Sequence, residues 1–302
     1  MRAVKPWVQT RLTRGVVKLL IALVGTWVVL FPRIDRAVVS AGRLVDWDAL
    51  IEPAHPALAG INAEIDAAVP PGATPEQEMQ AVQAWVYRHV AYRYDWVTWG
   101  NLDHWPTVSE VLEKRCEDCD GRAVLAASLL RARGYSSAHI VGNLSHVWVT
   151  LGAGDPKAKA AAPVAVMNPV GRPAFSRAGG AWELSLPEWS GLRPALLDGA
   201  KFPVARLLLI ALLWLALLFH PARAWLWFGP AAALVVGGLS LWQSWAARTT
   251  HAGSGAGDGE LLAAAGCVAA GFAVAACASR LESLRFWWHA LRGVSSATPR
   301  VG

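Results

Sequence analysis

Three residues in the middle of the chain are of types that can act together on an amide bond. In chain order they are Cys119, His146 and Asn168. Nucleophilic cysteine chemistry needs a thiol, an imidazole that accepts its proton, and a group that orients the imidazole. Each residue alone is weak evidence, since an Asn-Pro pair such as Asn168-Pro169 usually marks a turn. The ordered set predicts a cysteine hydrolase or transferase.

The sequence around Cys119 predicts that this residue begins a helix. Upstream, Thr107 and Glu110 have the spacing of a capping box that opens a short helix. Residues 118–121 then form an acidic turn, after which apolar residues recur at helical spacing up to Gly134, a glycine expected just past a helix end. The unpaired N–H groups and the dipole of a helix N-terminus favour a thiolate. Cys119 is therefore the expected nucleophile.

The histidine and the asparagine belong to predicted strands. After the Cys119 helix, residues 138–142, 145–151 and 164–167 read as strands, with His146 inside the second and Asn168 ending the third. If the second and third strands pair as a hairpin, Asn168 approaches His146 from behind. Helices followed by antiparallel strands predict an α+β domain rather than a βαβ series.

These motifs resemble the transglutaminase-like superfamily of papain-fold cysteine enzymes. The resemblance rests on Cys119 with the later run Leu129-Leu130-Arg131-Ala132-Arg133-Gly134, on His146-Val147-Trp148-Val149, and on Asn168-Pro169 where the family has Asp-Pro. Trp105-Pro106-Thr107, with Glu110 nine residues before the cysteine, looks like the bacterial transglutaminase-like cysteine proteinases. The resemblance covers roughly residues 75–170.

The resemblance implies a papain-like α+β domain with a Cys119–His146–Asn168 triad that acts on an amide through a thioester. Asn in place of the usual Asp is a departure that matches the papain-type variant. The family spacing points to Cys119 rather than Cys116. The oxyanion hole would use the Cys119 N–H and an upstream donor, for which there are three candidates: Asn101, His104 and Trp105.

No cofactor is expected, although the resemblance leaves calcium open. Some of the bacterial proteinases bind calcium through acids beside the cysteine, and Asp118 and Asp120 are the candidates here. A solvated helix N-terminus explains these two carboxylates equally well.

Three other readings compete with an amide-bond enzyme. Cys116 and Cys119 form a C-x-x-C motif that suits thiol–disulfide exchange, or a disulfide that locks the enzyme. However, the motif follows a helix, and this reading leaves His146 and Asn168 without a role. A zinc site lacks a convincing fourth ligand. The last alternative is an inactive domain that only binds a peptide or a partner protein.

The charge distribution argues against nucleic-acid binding. The chain carries a net charge of +6, but residues 37–201 contain 14 Lys and Arg against 18 Asp and Glu, a balance of −4. The excess positive charge therefore flanks the apolar segments, where it indicates contact with a membrane rather than with a nucleic acid.

Four apolar runs predict membrane segments: 16–31, 202–219, 224–242 and 261–279. Each is near the length needed to cross the hydrocarbon core. A cleavable signal peptide competes for the first run, but charged residues separate that run from a weak cleavage site at 39–41, which favours an uncleaved anchor. A re-entrant loop competes for the second run. The small residues of the last run suggest a membrane protein partner.

Basic residues near both ends predict an inner-membrane protein with both termini inside and an external, periplasmic domain. The expected domains are 1–36 (anchor), 37–201 (the α+β domain), 202–280 (three spans) and 281–302 (a basic tail). The sequence therefore predicts a membrane-anchored cysteine peptidase, amidase or transamidase that acts on a peptide, a protein or a cell-envelope component.

Overall fold

The computed structural model of the chain describes residues 6–159, 164–178, 181–186, 192–219, 226–252 and 258–294. The chain divides into two compact units. One unit is Phe31–Gly199, which contains every predicted site residue. The other is formed by Met1–Leu30 and Ala200–Gly302.

Helix α1 (Pro6–Leu30) lies ahead of the Phe31–Gly199 unit. The helices within that unit are α2 (Ile34–Val45), α3 (Ala57–Ala68), α4 (Pro75–His89), α5 (Asp95–Thr98), α6 (Val108–Lys114), α7 (Cys119–Ala132) and α8 (Leu192–Gly199). The predicted capping box of Thr107 and Glu110 opens α6, and an equivalent box of Thr74 and Gln77 opens α4. Gly134 follows α7 with a φ of 93°, as a glycine past a helix end should.

Two sheets complete the unit. A short parallel pair joins β1 (Ala91–Tyr92) to β2 (Cys116–Glu117). The main sheet is antiparallel, in the order β5-β4-β3-β6-β7, and its strands are β3 (His139–Gly142), β4 (Val147–Leu151), β5 (Val164–Val166), β6 (Phe175–Ala178) and β7 (Ala181–Leu184). The α+β class and the pairing of the second and third predicted strands, now β4 and β5, are confirmed.

Helix α7 is the centre of the core. Every residue from Asp120 to Leu130 except Arg122 is buried, because α7 packs against β3 and β4 and against α3, α4 and α6. A helix that is covered all round must be apolar nearly all round, as this one is. The apolar stripe of α4, formed by Met79, Val82 and Val86, is also buried, as is Val90 just after the helix. The residue that begins α7 is therefore carried by a rigid element.

The second unit adds α9 (Val204–Leu218), α10 (Phe228–Ala252) and α11 (Asp258–Val294) to α1. Two segments of the described chain are long and apolar enough to cross a membrane, Thr13–Leu30 and Gly259–Ala278. A third exists only if α8 and α9 are counted as one broken span. The prediction of three spans after the α+β domain is therefore wrong.

The length and composition of the helices explain this difference. Helix α9 has 15 residues, which rise about 22 Å against a hydrocarbon core of about 30 Å. Helix α10 is longer, but its apolar residues alternate with several small, polar or helix-breaking ones, including Gly229, Pro230, Ser240 and Gln243.

Two polar side chains of the second unit form hydrogen bonds between α1 and α9. The Lys18 Nζ donates to the Leu217 carbonyl at 2.6 Å, and the Trp214 Nε1 donates to the Thr26 hydroxyl at 2.9 Å. Helices α10 and α11 approach closely at Gly238 and Gly271, where an added Cβ would lie 2.7 Å from a backbone carbonyl oxygen of the facing helix. Small residues permit this kind of close packing.

Candidate active site

Cys119 is the first residue of α7, as the sequence predicts. Asp118 is the N-cap, and its side chain accepts from the Asp120 N–H at 3.4 Å. The Cys119 side chain is partly exposed, and the backbone N–H of Val147 is close enough to its sulfur to favour the thiolate. The thiol therefore lies near the start of β4, whose first residue, Val147, follows His146.

The electrostatics around Cys119 differ from those of an isolated helix N-terminus. Burial, and then the negative charge of Asp118, raises the pKa of the Cys119 thiol well above its usual range. The helix end favours a thiolate, but burial and the neighbouring carboxylates oppose it. Deprotonation of this thiol therefore needs a base beside it.

His146 is held in the turn between β3 and β4 rather than inside the strand. The side chain of Asn143 organises this turn, because its Oδ1 accepts from the His146 N–H at 3.1 Å and from the Ser145 N–H at 3.0 Å. The Asn143 Nδ2 donates to the Val170 carbonyl. Sequence analysis missed Asn143, although an asparagine just before a Ser-His pair is a recognisable turn signal.

The His146 ring has a defined hydrogen-bond partner. Its Nε2 lies 3.1 Å from the carbonyl oxygen of Met167, and the ring is nearly parallel to that of Trp148 at 6.0 Å. A carbonyl oxygen only accepts, so Nε2 carries the proton and Nδ1 keeps the lone pair of the neutral imidazole. The tautomer is therefore the one in which Nδ1 is the base.

Asn168 lies one residue beyond that carbonyl. Its exposed side chain accepts from the Gln83 Nε2 at 3.5 Å, while the Gln83 Oε1 accepts from the Met167 N–H at 2.8 Å. Met167 and Asn168 both have a positive φ, of 74° and 54°. Asparagine tolerates this conformation better than methionine does. The structure thus orients the imidazole through the Met167 carbonyl, and the role of the Asn168 amide stays a prediction.

The three oxyanion candidates contribute to the packing of the segment before α6. Asn101 is fully buried. Its Oδ1 accepts from the Arg33 backbone N–H and its Nδ2 donates to the Arg33 carbonyl, both at 2.9 Å. Trp105 is buried against Trp47, with ring centroids 4.8 Å apart. The backbone N–H of Trp105 donates to the Ser40 hydroxyl at 3.0 Å. These contacts give Asn101 and Trp105 structural partners.

His104 is buried as a neutral imidazole. Burial lowers the pKa of His104 to about 4, and its ring lies 4.4 Å from that of Trp99. Its backbone N–H donates to the Asp95 Oδ2 at 2.5 Å. His104 therefore positions the segment rather than exchanging protons near neutral pH.

Four carboxylates converge beside Cys119: Asp95, Glu117, Asp118 and Asp120. Each offers one oxygen, and these oxygens all lie within 4.8 Å of one another. Burial, and then the charge of Asp118, raises the pKa of Glu117 to about 8 and that of Asp95 well above its usual range. Asp95 and Glu117 are absent from the sequence prediction, because only the β1–β2 pairing and the position of α5 bring them to the start of α7.

The carboxylate cluster fits a calcium ion. Its donor set consists of oxygen atoms only, which hard cations prefer. Among the described side chains, the Asp95 Oδ1 and the Glu117 Oε2 are buried without a hydrogen-bond partner, while the Glu117 Oε1 accepts from the Trp99 indole at 2.7 Å. Buried oxygens without partners are costly unless a proton or a cation compensates them.

Cys116 lies in β2, outside the helix. Its sulfur is 3.9 Å from the Thr98 hydroxyl, and both Cys116 and Cys119 are free thiols.

A comparison with known families supports the relationship that the motifs indicate. Residues 63–172 match the family model of the transglutaminase-like superfamily, a range that includes Cys119, His146 and Asn168. The resemblance read from the motifs is confirmed over that range. No curated protein and no solved structure matches the chain.

Proposed function

We propose that the Phe31–Gly199 unit is a cysteine enzyme that cleaves or transfers amide bonds of a peptide, a protein or a cell-envelope component. The observation that carries this proposal is the proximity of the Cys119 sulfur, at the start of α7, to the backbone N–H of Val147, the residue after His146. It brings a thiol at the start of a rigid helix next to the turn that holds His146. The superfamily match supports the same chemistry, because this superfamily generally comprises cysteine peptidases and transamidases.

In the proposed reaction the His146 Nδ1 removes the thiol proton of Cys119 as the sulfur attacks the amide carbon. The Nε2–H bond to the Met167 carbonyl keeps the imidazole in the required tautomer and stabilises the imidazolium. The carbonyl oxygen becomes an oxyanion, to which the Cys119 N–H at the helix start donates.

Collapse of the tetrahedral intermediate breaks the C–N bond. The leaving amine takes the proton from His146, and a thioester remains on Cys119. The imidazole then deprotonates a water molecule or a second amine, which attacks the thioester and restores the thiol. Water gives hydrolysis and an amine gives transamidation, with Asn168 proposed to support the orientation of the imidazole.

The two apolar helices support a membrane-anchored enzyme. With crossings at Thr13–Leu30 and Gly259–Ala278, both chain ends lie on one side and the Phe31–Gly199 unit on the other. Basic residues at both ends favour the inside, so we place the enzyme in the inner membrane with its catalytic unit on the periplasmic side. Small residues of α11 with open space around them, such as Gly259 and Gly266, suit a further membrane helix of a partner protein.

Calcium is the proposed ion of the carboxylate cluster. Asp95, Glu117, Asp118 and Asp120 would hold it, and a bound Ca²⁺ would supply positive charge beside the start of α7. To test this, the full chain in detergent is freed of metal with EDTA and titrated with Tb³⁺. The Trp99 indole, hydrogen-bonded to Glu117, sensitises the luminescence. We expect Ca²⁺ to displace the signal and Asp95→Asn to remove it.

The matched control for the Tb³⁺ titration is Glu113→Gln. The Glu113 side chain is 76% exposed on α6 and lies outside the cluster. Luminescence that survives Asp95→Asn, or that falls equally in the control, contradicts the assigned ligands.

Thiol alkylation of the purified full chain tests the proposed catalysis. The rate of labelling by iodoacetamide is followed across pH in the wild type, Cys116→Ala, Cys119→Ala and His146→Ala, with the exposed His89→Ala as the control histidine. We expect Cys119 to be the fast-reacting thiol and His146→Ala to slow it. Casein is then supplied as the amide substrate with dansylcadaverine as the amine. Release of peptides indicates hydrolysis, and incorporation of the dansyl group into casein indicates transamidation.

Two results would overturn the proposed catalysis. A fast Cys116, or exchange between Cys116 and Cys119 that is indifferent to His146, supports the thiol–disulfide alternative. If neither thiol reacts faster than free cysteine, the unit is an inactive domain that binds a peptide or a partner.

A further inference from the structure

Helix α2 has its polar side turned toward the body of the unit. The Ser40 hydroxyl accepts from the Trp105 N–H at 3.0 Å. The Arg43 Nη1 donates to the Glu110 Oε2 at 2.7 Å and to the Trp105 carbonyl at 2.8 Å. Both residues, together with the Arg36 guanidinium 4.8 Å above the Trp99 ring, lie on one side of the helix. The contacts that attach α2 to the domain are therefore mainly polar and cationic.

The opposite side of α2 is apolar and faces outward. Ile34, Val38 and Val45 are 53%, 66% and 68% exposed. Their spacing of four and seven residues puts them on one stripe of the helix, and Ala41, also exposed, lies between them. A helix at the surface of a soluble domain has the reverse arrangement, with its apolar stripe toward the core. The outward stripe therefore fits an apolar surrounding.

The position of α2 in the chain identifies that surrounding. The candidate span Thr13–Leu30 ends only three residues before α2 begins at Ile34. Leu30 and Ile34 are four Cα steps apart, at most about 14 Å, so α2 starts in or next to the interfacial layer of the bilayer if α1 crosses it. Helices that lie in this layer bury one apolar face at the boundary between headgroups and acyl chains.

We propose that α2 is an interfacial membrane helix, with Ile34, Val38, Ala41 and Val45 in the lipid and its polar side bound to the catalytic unit. This inference rests on the proposed membrane anchoring by α1. Ser40 and Arg43 bond to Trp105 and Glu110. This placement of α2 therefore holds residues 105–110, which precede the Cys119 helix, at the bilayer surface. The enzyme then works on amide bonds close to the membrane rather than at the end of a free tether.

A fluorescent probe in the stripe tests this placement. Val38→Cys is introduced into the full chain, with the four native cysteines replaced by alanine, and is labelled with the environment-sensitive dye NBD. The protein is reconstituted as single copies in nanodiscs of phosphatidylcholine and phosphatidylglycerol, with or without a lipid that carries a doxyl quencher high on its acyl chain. Val24→Cys in α1, which is 59% exposed, reports the anchor. Gln80→Cys, exposed on α4, reports solvent.

We expect the Val38 probe to emit at shorter wavelength than the Gln80 probe and to be quenched by the doxyl lipid, as the Val24 probe is. Quenching at Val24 without quenching at Val38 overturns the interfacial helix and leaves the anchor intact. In that case, protection of the Val38 probe from iodide assigns the stripe to a protein contact, and free access of iodide assigns it to solvent. The absence of quenching at Val24 refutes the membrane anchoring itself.

Discussion

At the scale of single residues, the position of His146 depends on a side chain that does not take part in the chemistry. Asn143 accepts two backbone N–H groups of the turn and donates to the Val170 carbonyl. The turn has only four residues between β3 and β4. A change at Asn143 therefore moves the imidazole without altering its chemistry.

We expect Asn143→Ala to slow His146-dependent alkylation of Cys119 by about 10- to 100-fold, since small misplacements of a catalytic group have effects of that order. Asn143→Asp retains the acceptor oxygen for the turn and should recover much of the rate. The pH profile of the alkylation rate and the melting temperature are measured together. An equal loss in both variants, accompanied by a lower melting temperature, would indicate a general folding defect instead.

Gly121 permits the close approach of neighbouring side chains to the first turn of α7. A Cβ at this position would lie 2.7 Å from the Glu117 Cγ and 2.8 Å from the Pro106 Cγ. We expect Gly121→Ala to lower the free energy of unfolding by about 1–3 kcal/mol, as overpacking does. Thermal denaturation measures the change.

The matched control is Gly60→Ala in α3, where an added Cβ meets nothing within 4 Å. This substitution should be neutral or stabilising by up to about 1 kcal/mol, because alanine favours a helix interior. If both substitutions destabilise the protein equally, the close approach at Gly121 is not the cause.

At the scale of elements, Glu78 joins α4 to the end of α7 and to the loop after β4. Its carboxylate accepts from the Lys157 Nζ at 2.6 Å and from the Tyr135 hydroxyl at 3.1 Å, and it is 3.4 Å from the Arg133 guanidinium. Burial alone would raise the pKa of Glu78, but these partners outweigh it and hold the pKa below the usual value of 4.5. The ionised form is therefore favoured by folding.

A pKa lowered in the folded state contributes stability above the unfolded pKa, and this stability is lost as the pH falls. We expect Glu78→Gln to lower the free energy of unfolding by about 1–3 kcal/mol at pH 7, since the carboxylate is only 18% exposed and its cationic partners stay in place. The difference from wild type should shrink as the pH falls below 4.5, the usual pKa of a glutamate side chain. Urea denaturation at several pH values measures it.

The exposed Glu76→Gln, in the first turn of the same helix, is the control for Glu78→Gln. A difference between wild type and Glu78→Gln that does not change with pH would contradict the assigned ionisation.

At the scale of the whole molecule, two crossings predict that the Phe31–Gly199 unit and the C-terminal tail lie on opposite sides of the membrane. We expect a membrane-impermeant maleimide to label Gln80→Cys in spheroplasts of a bacterial expression host, and to label Ser296→Cys only after the membrane is permeabilised. Both substitutions are made in the chain whose native cysteines are alanine. Labelling of both sites in intact spheroplasts would show that the second crossing is missing or that a third is present.

The sequence alone determined the features that depend on neighbours along the chain. The capping box of Thr107 and Glu110, the start of α7 at Cys119 and the glycine at 134 are encoded within a few residues of each element. The antiparallel pairing of β4 with β5 was considered as a hairpin of two successive predicted strands, and the structure confirms it. Apolar runs predicted spans at both ends, but run length did not reveal that α9 is too short and α10 too mixed in composition.

The tertiary structure decided which groups surround Cys119 and which side chains of the domain are exposed. Gln83 lies far from Met167 in sequence, and so does Asp95 from Asp118; each pair meets only when helices and strands pack. The same packing raises the pKa of Cys119 and turns the apolar stripe of α2 outward. Local patterns specify elements because their interactions span a few residues, whereas electrostatics and exposure depend on atoms that folding brings together from distant parts of the chain.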